Sequence, residues 1–145
     1  MIVVVDASTL VSAALKVDSI PERALLRALN QDNRLLLSQE VEDEYREVIF
    51  RPKFDRYVSV ERRQRILDII AVAAERIEPT ETVRECSDPK DDKYLSLAAA
   101  GKADVIVSSD VHDLLSMHPW RGISILSLLP VFQYTRGSGS LGDQV

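Results

Sequence analysis

The sequence predicts a three-layer α/β/α domain with a mostly parallel central sheet. Four short apolar runs, rich in branched side chains, are typical of buried strands and lie at 2–5, 35–37, 103–108 and 123–126. Segments with helical periodicity separate these runs along the chain. Such an alternation of strands and helices favours a parallel sheet that is covered by helices on both faces.

The predicted helices share a polar residue at the start and an apolar stripe along one face. They are expected at 9–15, directly after Ser19, at 39–50, at 60–76 and at 92–100. Ser38 and Ser59 are candidate caps of the third and fourth helices, and Gly101 is the expected stop of the fifth. Less regular segments are a linker or edge strand at 78–84, a short helix at 111–115 and a closing element at 128–134.

Composition indicates one soluble domain. The 145 residues suffice for a single core, and we expect a domain at 1–134 followed by a flexible, glycine- and serine-rich tail at 135–145. The single cysteine, Cys86, excludes an internal disulfide and suits a reducing cytoplasm. The apolar run after Met1 is too short to span a membrane. A net charge of −5 argues against general nucleic-acid binding, although a nuclease with many metal-binding acids can be acidic.

Acidic residues follow the predicted strands or begin a predicted helix. Ligand sites in parallel sheets lie beyond the carboxyl ends of the strands, where these side chains would meet. Asp is also favoured in caps and turns, so each residue alone has a structural explanation. Glu44 differs, because it borders the apolar face of its helix and could face a cleft. The candidates are Asp6, Glu44, Asp92, Asp110 and Asp113.

Carboxylates packed together repel one another unless a cation lies among them. Oxygen ligands of this kind suit Mg²⁺ or Mn²⁺. Such a metal can activate a water and hold the oxygens of a phosphodiester during hydrolysis. A phosphatase of the aspartyl-phosphate type also opens with a strand that ends in Asp, but those enzymes have a second Asp two positions later, where this chain has Ser8.

Three stretches of the chain resemble the PIN domain family, in the family's order. They are VVVDASTLVSAAL, LLLSQEVEDEYREVIFRPKF and SDPKDDKYLSLAAAGKADVIVSSDVHDLL. The resemblance covers roughly residues 1–134 and is closest to the VapC-like ribonucleases of bacterial and archaeal toxin–antitoxin systems. It implies a PIN-like fold and a metal-dependent endoribonuclease that cleaves single-stranded RNA by a metal-activated water.

The resemblance also implies a role for individual residues. Asp6, Glu44, Asp92 and Asp110 would be the catalytic, metal-binding acids, with Asp113 as a further metal-binding or water-positioning acid. Asp91 is a rival to Asp92, because the adjacent pair leaves the register open by one position. Ser8 and Ser108 would support the acids through their hydroxyl groups, whereas Asp88 is expected to shape the turn before Pro89.

A basic stretch at 46–65 supplies a candidate path for RNA. It holds seven basic and three acidic residues, with Phe54 and Tyr57 available for stacking. The candidate RNA-binding residues are Arg46, Arg51, Lys53 and Arg56. Implied partners are a small antitoxin and a second copy of the chain in a homodimer. The alternative is a PIN module that keeps the fold and the metal site but acts as a non-catalytic scaffold.

Overall fold

The computed structural model describes residues 1–30 and 32–127, and within them the predicted three-layer architecture is confirmed. One sheet holds five strands, all parallel, in the order β3-β2-β1-β4-β5. The elements are β1 (Ile2–Val5), α1 (Ala7–Leu15), α2 (Ile20–Ala28), β2 (Arg34–Leu37), α3 (Gln39–Ile49), α4 (Val60–Ala73), β3 (Glu75–Arg76), α5 (Asp92–Gly101), β4 (Val105–Val107) and β5 (Ser124–Leu126).

The centre of the sheet is made of short strands buried on both faces. Val3 and Val4 of β1 and Ile106 of β4 are almost fully buried, as expected for apolar strands covered on both sides. In the parallel register Val5 lies opposite Val107, so β1 and β4 end at the same edge of the sheet. This register determines which side chains meet beyond the strands.

The predicted caps are present at the helix starts. The hydroxyls of Ser19, Ser38 and Ser59 each accept a hydrogen bond from the third amide that follows, which leaves fewer amides unsatisfied in the first turn. Asp6 caps α1 in the same way, and the helix therefore starts at Ala7. Local sequence signals thus place the starts of α2, α3 and α4 correctly, whereas α1 begins two residues before the start predicted at residue 9.

The predicted end of α4 is wrong, because the helix ends at Ala73 instead of continuing to residue 76. For 78–84 the prediction left a linker or an edge strand open, and the structure has the linker, with no strand. Instead Glu75 and Arg76 form β3, which pairs with Leu36 and Leu37 of β2. The strand is stabilised by ion pairs of Glu75 with Arg34 and of Arg76 with Glu42. Two polar residues carry no strand signal, so the pairing depends on the neighbouring strand.

The end of α5 also differs from the prediction. Gly101 is the last helical residue, and Lys102 adopts the left-handed conformation at the C-cap with φ 53°. Packing is close at position 101, because an added Cβ would lie 2.2 Å from Cδ1 of the buried Leu36, which would have to shift. Residues 111–114 form turns and a 3₁₀ helix follows at Leu115–Met117, in place of the short helix predicted at 111–115.

The closing element at 128–134 and the tail at 135–145 lie outside the described residues. Within the described part of the chain, no helix combines the length and the apolar character that crossing a bilayer requires.

Candidate active site

Asp6 lies directly after β1 and is 3% exposed. Its amide donates to the carbonyl of Val107, which continues the pairing of β1 with β4. One carboxylate oxygen, Oδ1, accepts from the amide of Thr9 at 2.9 Å and from Oγ of Ser8 at 3.0 Å. The other oxygen, Oδ2, accepts from Oγ of Ser108 at 2.6 Å. Asp6 therefore serves as a helix cap and also presents a fixed carboxylate at the end of the sheet.

Ser108 connects the two strand ends. It is fully buried after β4, donates to Asp6, and accepts from the amide of Asp110 at 2.9 Å. Asp110 Oδ1 in turn accepts from the amide of Asp113 at 3.2 Å. At the surface, Oγ of Ser8 and Oγ of Ser109 form a hydrogen bond of 2.7 Å. The structure thus brings Asp6, Ser8, Ser108 and Asp110 together at one edge.

Asp91 lies beside Asp110 at the start of α5. Its Oδ2 atom is buried, and no donor among the described residues reaches it. Burial is the main cause that raises the pKa of Asp91 to about 7, and the hydrogen bond and charge of Asp110 raise it further. Because two carboxylates cannot hydrogen bond to each other, this contact requires one of them to keep a proton or a cation to lie between them.

Asp92 faces away from this cluster. Its Oδ1 accepts from the amides of Glu85 at 3.1 Å and of Cys86 at 2.8 Å, which fixes the preceding segment to α5. It lines a groove of about 530 Å³ between α3, α5 and the segment before α5. Adjacent helical residues point about 100° apart, so Asp91 and Asp92 cannot both face the strand ends. The structure places Asp91, and not Asp92, beside Asp110.

Glu44 belongs to α3, and its side chain contacts two residues of α5. Its side chain is 21% exposed, and Oε2 accepts from the ammonium of Lys93 at 2.8 Å. Oε1 accepts from the hydroxyl of Tyr94, which itself accepts from the amide of Ala7 at 3.0 Å. Glu44 therefore lies at the edge of the buried face, as predicted, and is linked through Tyr94 to the turn that carries Asp6.

The phenols near Glu44 are buried and neutral. Burial, followed by the effects of Tyr45 and Glu44, raises the pKa of Tyr94 far above its ordinary value. Burial likewise raises the pKa of Tyr45, whose hydroxyl donates to the carbonyl of Val5. Since its hydroxyl accepts from Ala7, the proton of Tyr94 is directed to Glu44. These phenols therefore position the acid as hydrogen-bond donors and do not supply charge.

A further group of acids lies at the rim. One carboxylate oxygen from each of Asp88, Asp91 and Asp113 lies within 4.8 Å of the others. Asp88 also accepts from the amide of Lys90, as expected for a turn residue, and Asp113 accepts from Oγ of Ser87. Asp88 was expected to shape the turn before Pro89 and not to bind metal, although its position three residues before Asp91 is a signal for the site. The donor set contains only oxygen, so it fits a hard divalent cation.

Comparison with known proteins identifies the family. The model of the PIN domain family matches residues 2–112, which is more than half of the chain. The chain belongs to the PIN domain family. No curated protein matches it.

Among solved structures, this PIN domain is similar to a chain in the crystal structure of VapBC2 from Rickettsia felis bound to a DNA fragment from their promoter. The two chains are 16% identical, with a TM-score of 0.59. The match covers 88% of this chain and 98% of that chain. At this identity the similarity concerns the fold.

The basic stretch of this PIN domain contains both surface and internal cations. Arg46, Arg51, Lys53 and Arg56 are all exposed, and Arg51 is paired with Glu47. Two further basic residues have structural roles. Arg62 donates to the carbonyl of Ala14 and pairs with Glu22, whereas Arg63 is 1% exposed, donates to Ile49 and pairs with Asp55. The surface is therefore less positive than the residue count of this stretch predicted.

Proposed function

We propose that this PIN domain is a metal-dependent endoribonuclease that cleaves single-stranded RNA, and that it is the toxin of a toxin–antitoxin pair. The observation that carries the proposal is the buried, unpartnered Oδ2 of Asp91 beside Asp110. Two acids in contact at the end of a parallel sheet are costly unless a cation binds there. Such a cost is typical of functional sites.

The proposed metal-binding acids are Asp6, Glu44, Asp91 and Asp110, with Asp113 at the rim. Asp91 takes the place that the resemblance gave to Asp92, because the oxygen of Asp92 is occupied by two backbone amides. When bound, Mg²⁺ or Mn²⁺ would acidify a water and neutralise charge on the scissile phosphate.

The chain's own residues hold this arrangement in place. Ser108 and Ser8 fix the carboxylate of Asp6, so its oxygens need little reorganisation when a cation binds. Tyr94 fixes Glu44 by a hydrogen bond whose direction is set by the amide of Ala7. Asp113 lies close to Asp88 and Asp91, where it could orient the attacking water for in-line cleavage that leaves a 5′-phosphate.

The proposed RNA path runs from α3 over the 3₁₀ helix that follows it, Pro52–Phe54. Arg46 on α3 is exposed, as are Lys53 and Arg56 in the segment that follows. Tyr57 is 64% exposed, so its ring is available to stack on an unpaired base. These features favour a flexible single strand of RNA. Its phosphates would contact the cations, while one base would unstack from its neighbours and stack on Tyr57.

The proposed partners follow from the family and the fold. The similar structure carries a toxin–antitoxin name, VapBC2, and we propose a small antitoxin and a homodimer for this chain as well. We also propose a cytoplasmic location, which suits the single buried thiol of Cys86.

The experiment that tests the proposal is cleavage of a mixed single-stranded RNA with Mn²⁺, with Mg²⁺ and with EDTA. Asp6→Asn is the inactivating variant, and Asp68→Asn is its matched control, because Asp68 is an exposed acid of α4 that accepts a hydrogen bond from Gln64. We expect metal-dependent cleavage by the wild type and the control, and none by Asp6→Asn. No cleavage by the wild type with either metal, while it still binds metal, would favour the scaffold instead.

A further inference from the structure

Glu44 has a cation as its direct partner. The ammonium of Lys93 lies 2.8 Å from Oε2 of Glu44, and the phenol of Tyr94 donates to the other oxygen. Both donors come from the first turn of α5. The candidate metal-binding acid is therefore already partnered on both oxygens by adjacent residues.

The ammonium of Lys93 is shielded from solvent. Its side chain is 13% exposed, that of Glu44 is 21% exposed, and Nζ also donates to the carbonyl of Lys90 at 2.7 Å. Charges in such a position are screened by salt far less than surface charges are. By contrast, Lys90 is exposed. The pKa of Glu47 on α3 is lowered mainly by its hydrogen bond with Arg51, and the charge of Lys90 lowers it further. One lysine of this segment thus pairs with the acid cluster and the other lies at the surface.

The two partners of Glu44 respond differently to an arriving divalent ion. Tyr94 is a neutral donor, buried and fixed by Ala7, so it can remain on Oε1 while Oε2 changes partner. Lys93 carries a positive charge that would repel a second cation at the same carboxylate. Its flexible four-carbon stem allows the ammonium to leave.

We propose that Lys93 is an internal counter-ion of Glu44 that competes with the divalent metal and so sets the metal concentration at which the site fills. The proposal rests on the proposed function only in taking Glu44 as one of the metal-binding acids. It assigns Lys93 a positioning role toward the metal, with no contact to the reacting atoms.

The test is a calorimetric titration of the metal-free protein with Mn²⁺, without RNA. Lys93→Met removes the charge and keeps the aliphatic stem, and Lys90→Met is the matched control on the exposed side of the same segment. We expect Lys93→Met to bind Mn²⁺ about tenfold more tightly, since even a weakly coupled charge pair at short range is worth that much. We expect Lys90→Met to change the affinity by less than about twofold, because exposed charges are screened.

A second pair of variants tests whether Lys93 affects Mn²⁺ binding through the Glu44 carboxylate. Lys93→Arg retains the cation and should bind Mn²⁺ like the wild type. In a Glu44→Gln background, the gain from Lys93→Met should disappear, because the carboxylate for which the two cations compete is absent. If Lys93→Met fails to unfold cooperatively in circular dichroism, Lys93→Gln takes its place in both comparisons.

The proposal is overturned if Lys93→Met weakens Mn²⁺ binding, if Lys90→Met tightens it equally, or if the gain persists without the Glu44 carboxylate. This failure differs from a failure of the proposed function. A protein that binds Mn²⁺ with the expected pattern but cuts no RNA refutes the nuclease alone. A protein that cuts RNA while Lys93→Met shows no gain refutes the counter-ion alone.

Discussion

Ser108→Ala should destabilise the fold and the site together. The hydroxyl is fully buried, donates to the carboxylate of Asp6 and accepts from the amide of Asp110. A hydrogen bond to a charged group contributes roughly 1.5–3 kcal/mol, and a buried amide without a partner costs about 1–3 kcal/mol. Allowing for partial relaxation, we expect the free energy of unfolding to fall by about 3 kcal/mol.

Ser8→Ala is the matched control, because it makes the same chemical change beside the same carboxylate. Ser8 donates to the other oxygen of Asp6, but it is exposed, so water can replace its hydroxyl. Its loss should cost less than about 1 kcal/mol. Urea unfolding followed by circular dichroism, in EDTA so that metal binding does not contribute, measures both values. Equal costs for the two variants would refute the reasoning from burial.

Three further predictions concern the acids and the basic surface. Asp91→Asn should weaken Mn²⁺ binding at least about tenfold. Asp92→Asn should lower thermal stability and leave the Mn²⁺ affinity unchanged. Equal losses of Mn²⁺ affinity in the two variants would contradict the assignment of Asp91 as a metal-binding acid. Since the pKa of Asp91 is raised to about 7, its carboxyl must lose a proton to bind a cation, so Mn²⁺ affinity should rise with pH through neutrality. Calorimetry in two buffers of different ionisation enthalpy would detect the proton that is released on Mn²⁺ binding. An Mn²⁺ affinity that does not change with pH would exclude this coupling. Arg56→Ala, in the Asp6→Asn background, should reduce the salt slope of RNA binding in fluorescence anisotropy by about 0.7, and an unchanged slope would remove Arg56 from the RNA path.

The features that the sequence predicted correctly depend on short-range signals. Apolar runs mark the strands, and Ser38 or Ser59 marks a helix start, because a strand covered on both faces and a cap each involve neighbouring residues. The placement of Asp6 and Asp110 at the same edge of the sheet could be inferred as well, since parallel strands end at one edge.

The remaining features depend on contacts between distant parts of the chain. The choice between Asp91 and Asp92 depends on how the 3₁₀ turn Pro89–Asp91 rotates the start of α5, which no pattern in the adjacent acids reveals. The contact of Lys93 with Glu44 joins residues 49 positions apart. The structural role of Arg63 could not be found by counting charges, because its burial depends on how α4 packs against α3.

The close packing of Gly101 against Leu36 has a consequence for the distant end of α5. A helix of this length is a rod of about 14 Å, so a change in its distance from the sheet at one end also displaces the other. An alanine at position 101 would push against Leu36, which is fully buried and has little room to yield. Such a protein would contain every acid of the site but hold Asp91 and Tyr94 out of alignment with the residues of β1 and β4. Tolerance to substitution in this PIN domain should therefore be as narrow at this small, chemically inert position as among the carboxylates themselves.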